Sequence, residues 1–218
     1  MLKSKVHECT ISLPRSRGRP KLGSDDAQKN SIIAQAYELF REEGYARSTT
    51  DEVAARCKIS KRTLYRLFPS KSALFAAIVD AHRQSMLDLP GDYDALPLTD
   101  ALERIFKVDI DPVVARERFA FLRLMILESA KFPELEAIAL QHGRDMSRSL
   151  LADWFAHQRT LGRIVIDDVE SAAKMLIDMI VGAIVVKIGG EVEWPGGDRY
   201  SAYVRRCIHL FVNGIRPR

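Results

Sequence analysis

Residues 48–71 read STTDEVAARCKISKRTLYRLFPSK. Thr49 precedes a short run whose inner positions are Val53, Ala54 and Cys57. Glu52, three residues beyond Thr49, completes the pattern of a capping box. Lys58-Ile59-Ser60 forms a tight polar turn in which Ile59 plugs the angle between two helices and Ser60 caps the second. That second helix, expected from Lys61 to Phe68, turns Leu64 and Phe68 inward at i, i+4 and leaves Lys61, Arg62, Thr63, Tyr65 and Arg66 outward. Two short helices joined this way make a helix-turn-helix, whose second helix lies in a DNA major groove.

The charge distribution agrees. Residues 1–83 carry 16 Lys/Arg against 9 Asp/Glu, whereas residues 84–218 carry 17 against 20. The positive half is the one that holds the motif, as attraction to phosphate requires. The three cysteines, Cys9, Cys57 and Cys207, are far apart and lack CxxC spacing, which argues against a zinc site or a disulfide framework. MLKSKVHECTISLP offers no apolar run long enough for a signal peptide. Met175–Ile188 is too short and too charged to span a bilayer. A cytoplasmic protein without a membrane partner is expected.

Outward from the motif, residues 1–24 read as a flexible basic arm, with six positive charges against one negative. Its Arg17-Gly18-Arg19-Pro20 could lay Arg17 and Arg19 in a narrowed minor groove. A first helix is expected from Asp25 to Glu43, built on Ile32, Ile33, Ala36, Leu39 and Phe40 and stopped by Gly44. Pro69-Ser70 breaks the recognition helix, and another follows from Lys71 to Met86. DLPGDYDALPL then makes a joint. Beyond it every pattern is helical: 98–109, 113–132, a long helix from Pro133 to Thr160, 168–188 and 198–212. The expectation is an all-α chain of about nine helices: the arm, a helix-turn-helix domain at 25–86 and a helical domain at 87–218.

The region 24–86 resembles the DNA-binding domain of the TetR (tetracycline-repressor-like) family of bacterial regulators. The resemblance rests on AYELFREEGYARSTTDEVAARCKISKRTLYRLFPSKSALFAAIV, with Phe-x-x-x-Gly-Tyr before the motif, Thr-Thr at the second helix and Ser-x-x-Thr-Leu-Tyr-x-x-Phe-x-x-Lys running into the fourth. It implies that Thr50, Tyr65 and Lys71 anchor backbone phosphates and that Lys61, Arg62 and Thr63 meet base edges, with Arg or Lys favouring guanine. Thr49, Lys58, Ser60 and Arg66 complete the candidate face. Lys58 departs from the family, which often has glycine there. If the position needs positive φ, lysine costs on the order of 1 kcal/mol.

The C-terminal half resembles the family in architecture. That likeness implies a homodimer joined through the last two helices, with Ile177, Val181, Ile184, Val185, Tyr203, Val204, Cys207 and Phe211 as its candidate contacts. It also implies a pseudo-palindromic operator on double-stranded DNA and a small-molecule effector. Phe106, Phe121, Met125, Met146, Trp154 and Met179 are candidates to line an apolar pocket; Arg123, Glu128 and His142 lie on or beside its stripes and could orient a polar group. An apolar or amphipathic effector that releases a repressor from its operator fits this composition. An architectural DNA binder without an effector is the alternative. No phosphate-cradling glycine loop, GxSxG, HExxH or metal-spaced cluster appears, so neither an enzyme nor a bound cofactor or metal is expected.

Overall fold

A computed structural model describes residues 22–182 and 199–217. The arginines of the basic arm, Arg17 and Arg19, and the candidate dimer residues Ile184 and Val185 lie outside them. The described chain is helical: α1 (Leu22–Glu43), α2 (Thr50–Arg56), α3 (Lys61–Leu67), α4 (Lys71–Met86), α5 (Leu98–Ile105), α6 (Pro112–Ser129), α7 (Pro133–Ile138), α8 (Met146–Thr160), α9 (Val169–Val181) and α10 (Arg199–Ile215). A π-helical stretch, Ala139–Asp145, joins α7 to α8 without a break. Counted as one, that run gives nine helical segments among the described residues, and none of these helices is long and apolar enough to cross a membrane.

The local chemistry of the opening segment is as its residues dictate. The Thr49 Oγ1 accepts the Glu52 N–H at 3.2 Å while the Glu52 carboxylate accepts the Thr49 N–H at 2.7 Å, the two halves of a capping box. Ser60 caps α3 by accepting from Thr63 N–H, and Ser70 caps α4 through Ala73 N–H. Gly44 ends α1 at φ +79°, with its N–H on the Phe40 carbonyl.

Two helices end where a non-glycine residue turns left-handed. Lys58 sits at φ +54°; its N–H meets the Ala55 carbonyl, and the Ile59 N–H meets that of Ala54. This pair of bonds is a Schellman motif, and it satisfies two carbonyls that the end of α2 would otherwise leave open. Lys107 repeats it at φ +48°, with the Val108 N–H on the Glu103 carbonyl. Hence α5 stops at Ile105, short of the 109 read from its periodicity.

Two apolar clusters form. One gathers α1–α4 around Phe40, Leu64, Leu74 and Phe75, and it also takes Phe121 and Met125 from α6 and Leu135 from α7. The other packs α5, α8, α9 and α10 around Leu102, Ile105, Leu151, Phe155, Leu176 and Ile208. Helix α6 therefore belongs in part to the core of the helix-turn-helix region, and it connects that region to the rest of the molecule.

Candidate DNA-reading face and interior cavity

Leu64 and Phe68 are buried, which fixes the roll of α3 and turns its other side to solvent. Lys61, Arg62, Tyr65 and Arg66 are exposed there. Arg62 has no partner among the described residues, whereas Lys61 pairs with Asp51 and Arg66 lies 3.5 Å from Asp25. Thr63 is half-buried, its hydroxyl 2.9 Å from that of Ser60. Thr50 and Tyr65 come together, hydroxyl to hydroxyl, at 3.0 Å across the α2–α3 angle. Lys58 projects from the turn between them, exposed.

Lys71, the third residue for which the resemblance implies a phosphate contact, is half-buried at the start of α4. Its ammonium donates to the Tyr45 carbonyl and stands 4.1 Å from the Tyr45 ring centre. Burial lowers its pKa from the ordinary lysine value, with Glu52 and Glu128 opposing.

Beneath this head lies a cavity of about 610 Å³, within the usual range for small-molecule sites. Its wall is assembled from α4 (Val79, Arg83, Met86), α6 (Arg118, Phe119, Phe121, Leu122, Met125, Ile126), the π stretch (Ala139, Leu140, Gly143) and parts of α9 and α10. Phe121 stacks flat on His82, ring centres 3.7 Å apart, and burial pushes the His82 imidazole down to about 4. The π stretch runs against α4 here: a Cβ on Gly143 would make an ordinary contact with Val79 at 3.4 Å.

Of the nine residues proposed for a pocket, Phe106, Phe121 and Met125 line this one. The other six are placed elsewhere, for reasons visible in their surroundings. Glu128 is buried under the head, where its carboxylate accepts the Tyr45 N–H at 3.1 Å and pairs with Lys131 at 3.0 Å. His142 pairs with Asp80 at 3.1 Å. Met146 is exposed, and Trp154 is packed in the α5/α8/α9/α10 core. Met179 packs against that same core, and its carbonyl accepts from the Tyr203 hydroxyl. Arg123 is exposed.

Periodicity missed Arg83, Arg118 and Tyr200, all on the cavity wall. The signal for Arg118 was present: it interrupts the stripe Ala115, Phe119, Leu122, Ile126 at helical spacing.

The dimerisation candidates divide in the same way. Ile177, Val204 and Cys207 are buried in the protomer's own core, because α10 packs on α5 and α9 through that face. Phe211 stacks on Phe155 at 5.5 Å, and Tyr203 is half-buried. Val181 is exposed; so are Met175 and Leu210, which the sequence reading passed over.

Comparison with known proteins agrees with this geometry. Residues 32–78 match the family model for bacterial regulatory proteins of the tetR family, and residues 100–214 match that for the C-terminal domain of AefR-like transcriptional repressors. An uncharacterized HTH-type transcriptional regulator of Bacillus subtilis, YdeS, is 38% identical over 58 residues, 27% of this chain and 28% of that protein. An uncharacterized HTH-type regulator of Mycobacterium bovis is 29% identical over 135 residues, 60% of this chain and 62% of its own length. The chain thus covers less than two thirds of either curated relative. Among solved structures, the flavonoid-responsive regulator FrrA superposes with a TM-score of 0.59 at 26% identity, covering 88% of this chain and 99% of that one.

Proposed function

Because the chain belongs to the TetR family of DNA-binding transcriptional regulators, we propose that it is a ligand-responsive, sequence-specific repressor working in the cytoplasm. It binds a pseudo-palindromic operator as a homodimer and is released when a small apolar or amphipathic effector enters the interior cavity. The observation that carries this reading is the course of α6. Phe121, Leu122 and Met125 line the cavity, and Glu128 near the same helix's end holds the Tyr45 backbone just before the helix-turn-helix. A ligand that displaces α6 thereby bears on the orientation of the reading heads, and effector and DNA affinities become reciprocally coupled.

On the DNA side, Arg62 is the leading base-reading residue, with Lys61 and Thr63 beside it. Thr50 and Tyr65 are backbone anchors, together with Lys58 and Arg66. Reading requires Lys61 and Arg66 to exchange Asp51 and Asp25 for nucleic acid. In the cavity, Phe106, Phe121 and Met125 are the proposed effector contacts.

Selection of bound DNA from a random library tests the reading. A two-fold symmetric consensus is expected, and Arg62→Ala should cost about 1–3 kcal/mol at one position of each half-site and relax the preference there. Sequence-independent binding with a steep salt slope would instead support an architectural role.

A further inference from the structure

The cavity wall carries a surplus of positive charge. Arg83, Lys107, Arg118 and Arg144 contribute to it, against Asp178 alone among the described lining residues. Asp178 is already paired with Lys174 along α9. Lys107 reaches Asp88 at 3.1 Å and the Gln84 carbonyl at 3.1 Å, and the Arg144 side chain is exposed to water. Arg83 and Arg118 are the two with buried nitrogens that lack a hydrogen-bond acceptor among the described residues.

The Nε and Nη1 of Arg83 are shielded from solvent and make no hydrogen bond among the described residues. Its side chain is 11% exposed; the nearest carboxylate oxygen, on Asp80, is 3.8 Å from Nε, beyond hydrogen-bond reach. The other oxygen of Asp80 faces His142. The Nε of Arg118 is likewise buried without a partner among the described residues. Burial lowers the pKa of Arg118, a mark of a charge that has given up water without gaining a counter-ion among the described residues. The rest of the wall is predominantly apolar, with Phe119, Phe121, Leu122, Met125 and Ile126 along α6.

We propose that the effector is an amphipathic organic acid, with a hydrocarbon or aromatic body in the apolar chamber and one carboxylate accepting hydrogen bonds from Arg83 and Arg118. The inference rests on the effector-binding reading above and names the chemistry of that site. A cationic ligand would meet like charge, and a neutral one would leave both guanidinium groups short of acceptors. A carboxylate supplies acceptors in the geometry a guanidinium prefers. Arg83 belongs to α4, the last helix of the DNA head, and Arg118 to α6. An acid held by both ties the head to the body, which gives it a differential grip on the two arrangements that a release mechanism needs.

The test uses the full chain and the neutral fluorescent probe N-phenyl-1-naphthylamine, displaced in turn by dodecanoate, dodecanol and dodecylammonium. Dodecanoate is expected to bind at least roughly tenfold more tightly than the other two. Arg83→Met and Arg118→Met should each weaken dodecanoate by about tenfold while leaving the neutral probe within about twofold, which also reports that the variants fold. Arg118→Lys should recover part of the loss. Equal displacement by acid and alcohol, or unchanged dodecanoate affinity in both Met variants, overturns the inference and leaves the effector reading standing. If the neutral probe fails to bind the wild-type chain, or binds as well after Leu122→Trp fills the chamber, both fall. Should a Met variant lose the neutral probe as well, the wild-type salt dependence decides. Dodecanoate affinity that falls with ionic strength, beside alcohol affinity that does not fall, supports the anion site; equal dependence overturns it.

Discussion

Lys58 holds a left-handed backbone conformation at φ +54° that glycine adopts freely and lysine resists. The family's usual glycine was the clue in the sequence, and the Schellman bonds of Ile59 and Lys58 show why the backbone must turn there. Lys58→Gly should raise stability to urea by about 0.5–1 kcal/mol, the relief of strain being partly offset by a freer unfolded chain. If the lysine touches a phosphate, the same change lowers the slope of log affinity against log salt by about 1. His82 makes a second prediction at this scale. Its buried imidazole is held at about 4, against 6.5 when free. The unfolded chain therefore takes up a proton first, so this contribution is complete above about pH 6.5 and is lost as the pH falls towards 4. Relative to His82→Phe, which keeps a ring against Phe121, the wild type should lose on the order of 2 kcal/mol between pH 7 and pH 5 in urea titrations. None of this environment was legible in the sequence, because the stacking partner is 39 residues away on α6.

At the scale of elements, α2 and α3 were readable in full because their caps, turn and inward residues all lie within 24 consecutive positions. Helix α6 was not. Its apolar residues fall on more than one side, Phe119, Leu122 and Ile126 on one and Phe121 and Met125 on another, and the sequence does not say which side faces the head and which the cavity. Phe121 and Met125 turned out to serve both the head's core and the cavity wall. Glu128 stood among apolar residues and read as a pocket group; its real partner, the Tyr45 N–H, is a backbone atom that no side-chain pattern reveals. The π stretch carried no usable signal either, although Ala139, Leu140, Gly143 and Arg144 bring it to the cavity wall, a common setting for such irregularities. If Glu128 links α6 to the head, Glu128→Ala should cost about 1–3 kcal/mol of stability by leaving that buried N–H unpaired. It should also speed hydrogen exchange at the Tyr45 amide more than at amides of α8. Glu128→Gln keeps an acceptor in place and should restore most of the protection. Equal exchange in all three proteins would mean that α6 and the head are joined by apolar packing alone.

For the whole molecule, the helix-turn-helix presents one reading helix per chain, so useful specificity calls for two chains. The family likeness pointed to α9 and α10 as the helices that join two chains, but the sequence could not divide their apolar residues between the protomer and a mate. Among the described residues, burial shows which of them the protomer itself covers. The stripe through Val204, Cys207 and Ile208 fills the protomer, and Phe211 rests on Phe155. The apolar side chains left in water on these helices are Met175 at 61% exposure, Leu210 at 69% and Val181 at 38%. Exposed side chains of this size on two neighbouring helices make this face the proposed docking surface for a mate. Two substitutions one residue apart on α10 should therefore fail differently. Leu210→Asp is expected to leave the helical circular dichroism and the urea midpoint of the separated protomer nearly unchanged while shifting sedimentation towards the monomer. Phe211→Asp places a charge against Phe155 and is expected to cost on the order of 3 kcal/mol of protomer stability before association is considered. A Leu210→Asp protein that sediments as a dimer would move the interface off the exposed face of α10, and the two-fold operator would then need a different pairing of the heads to read it.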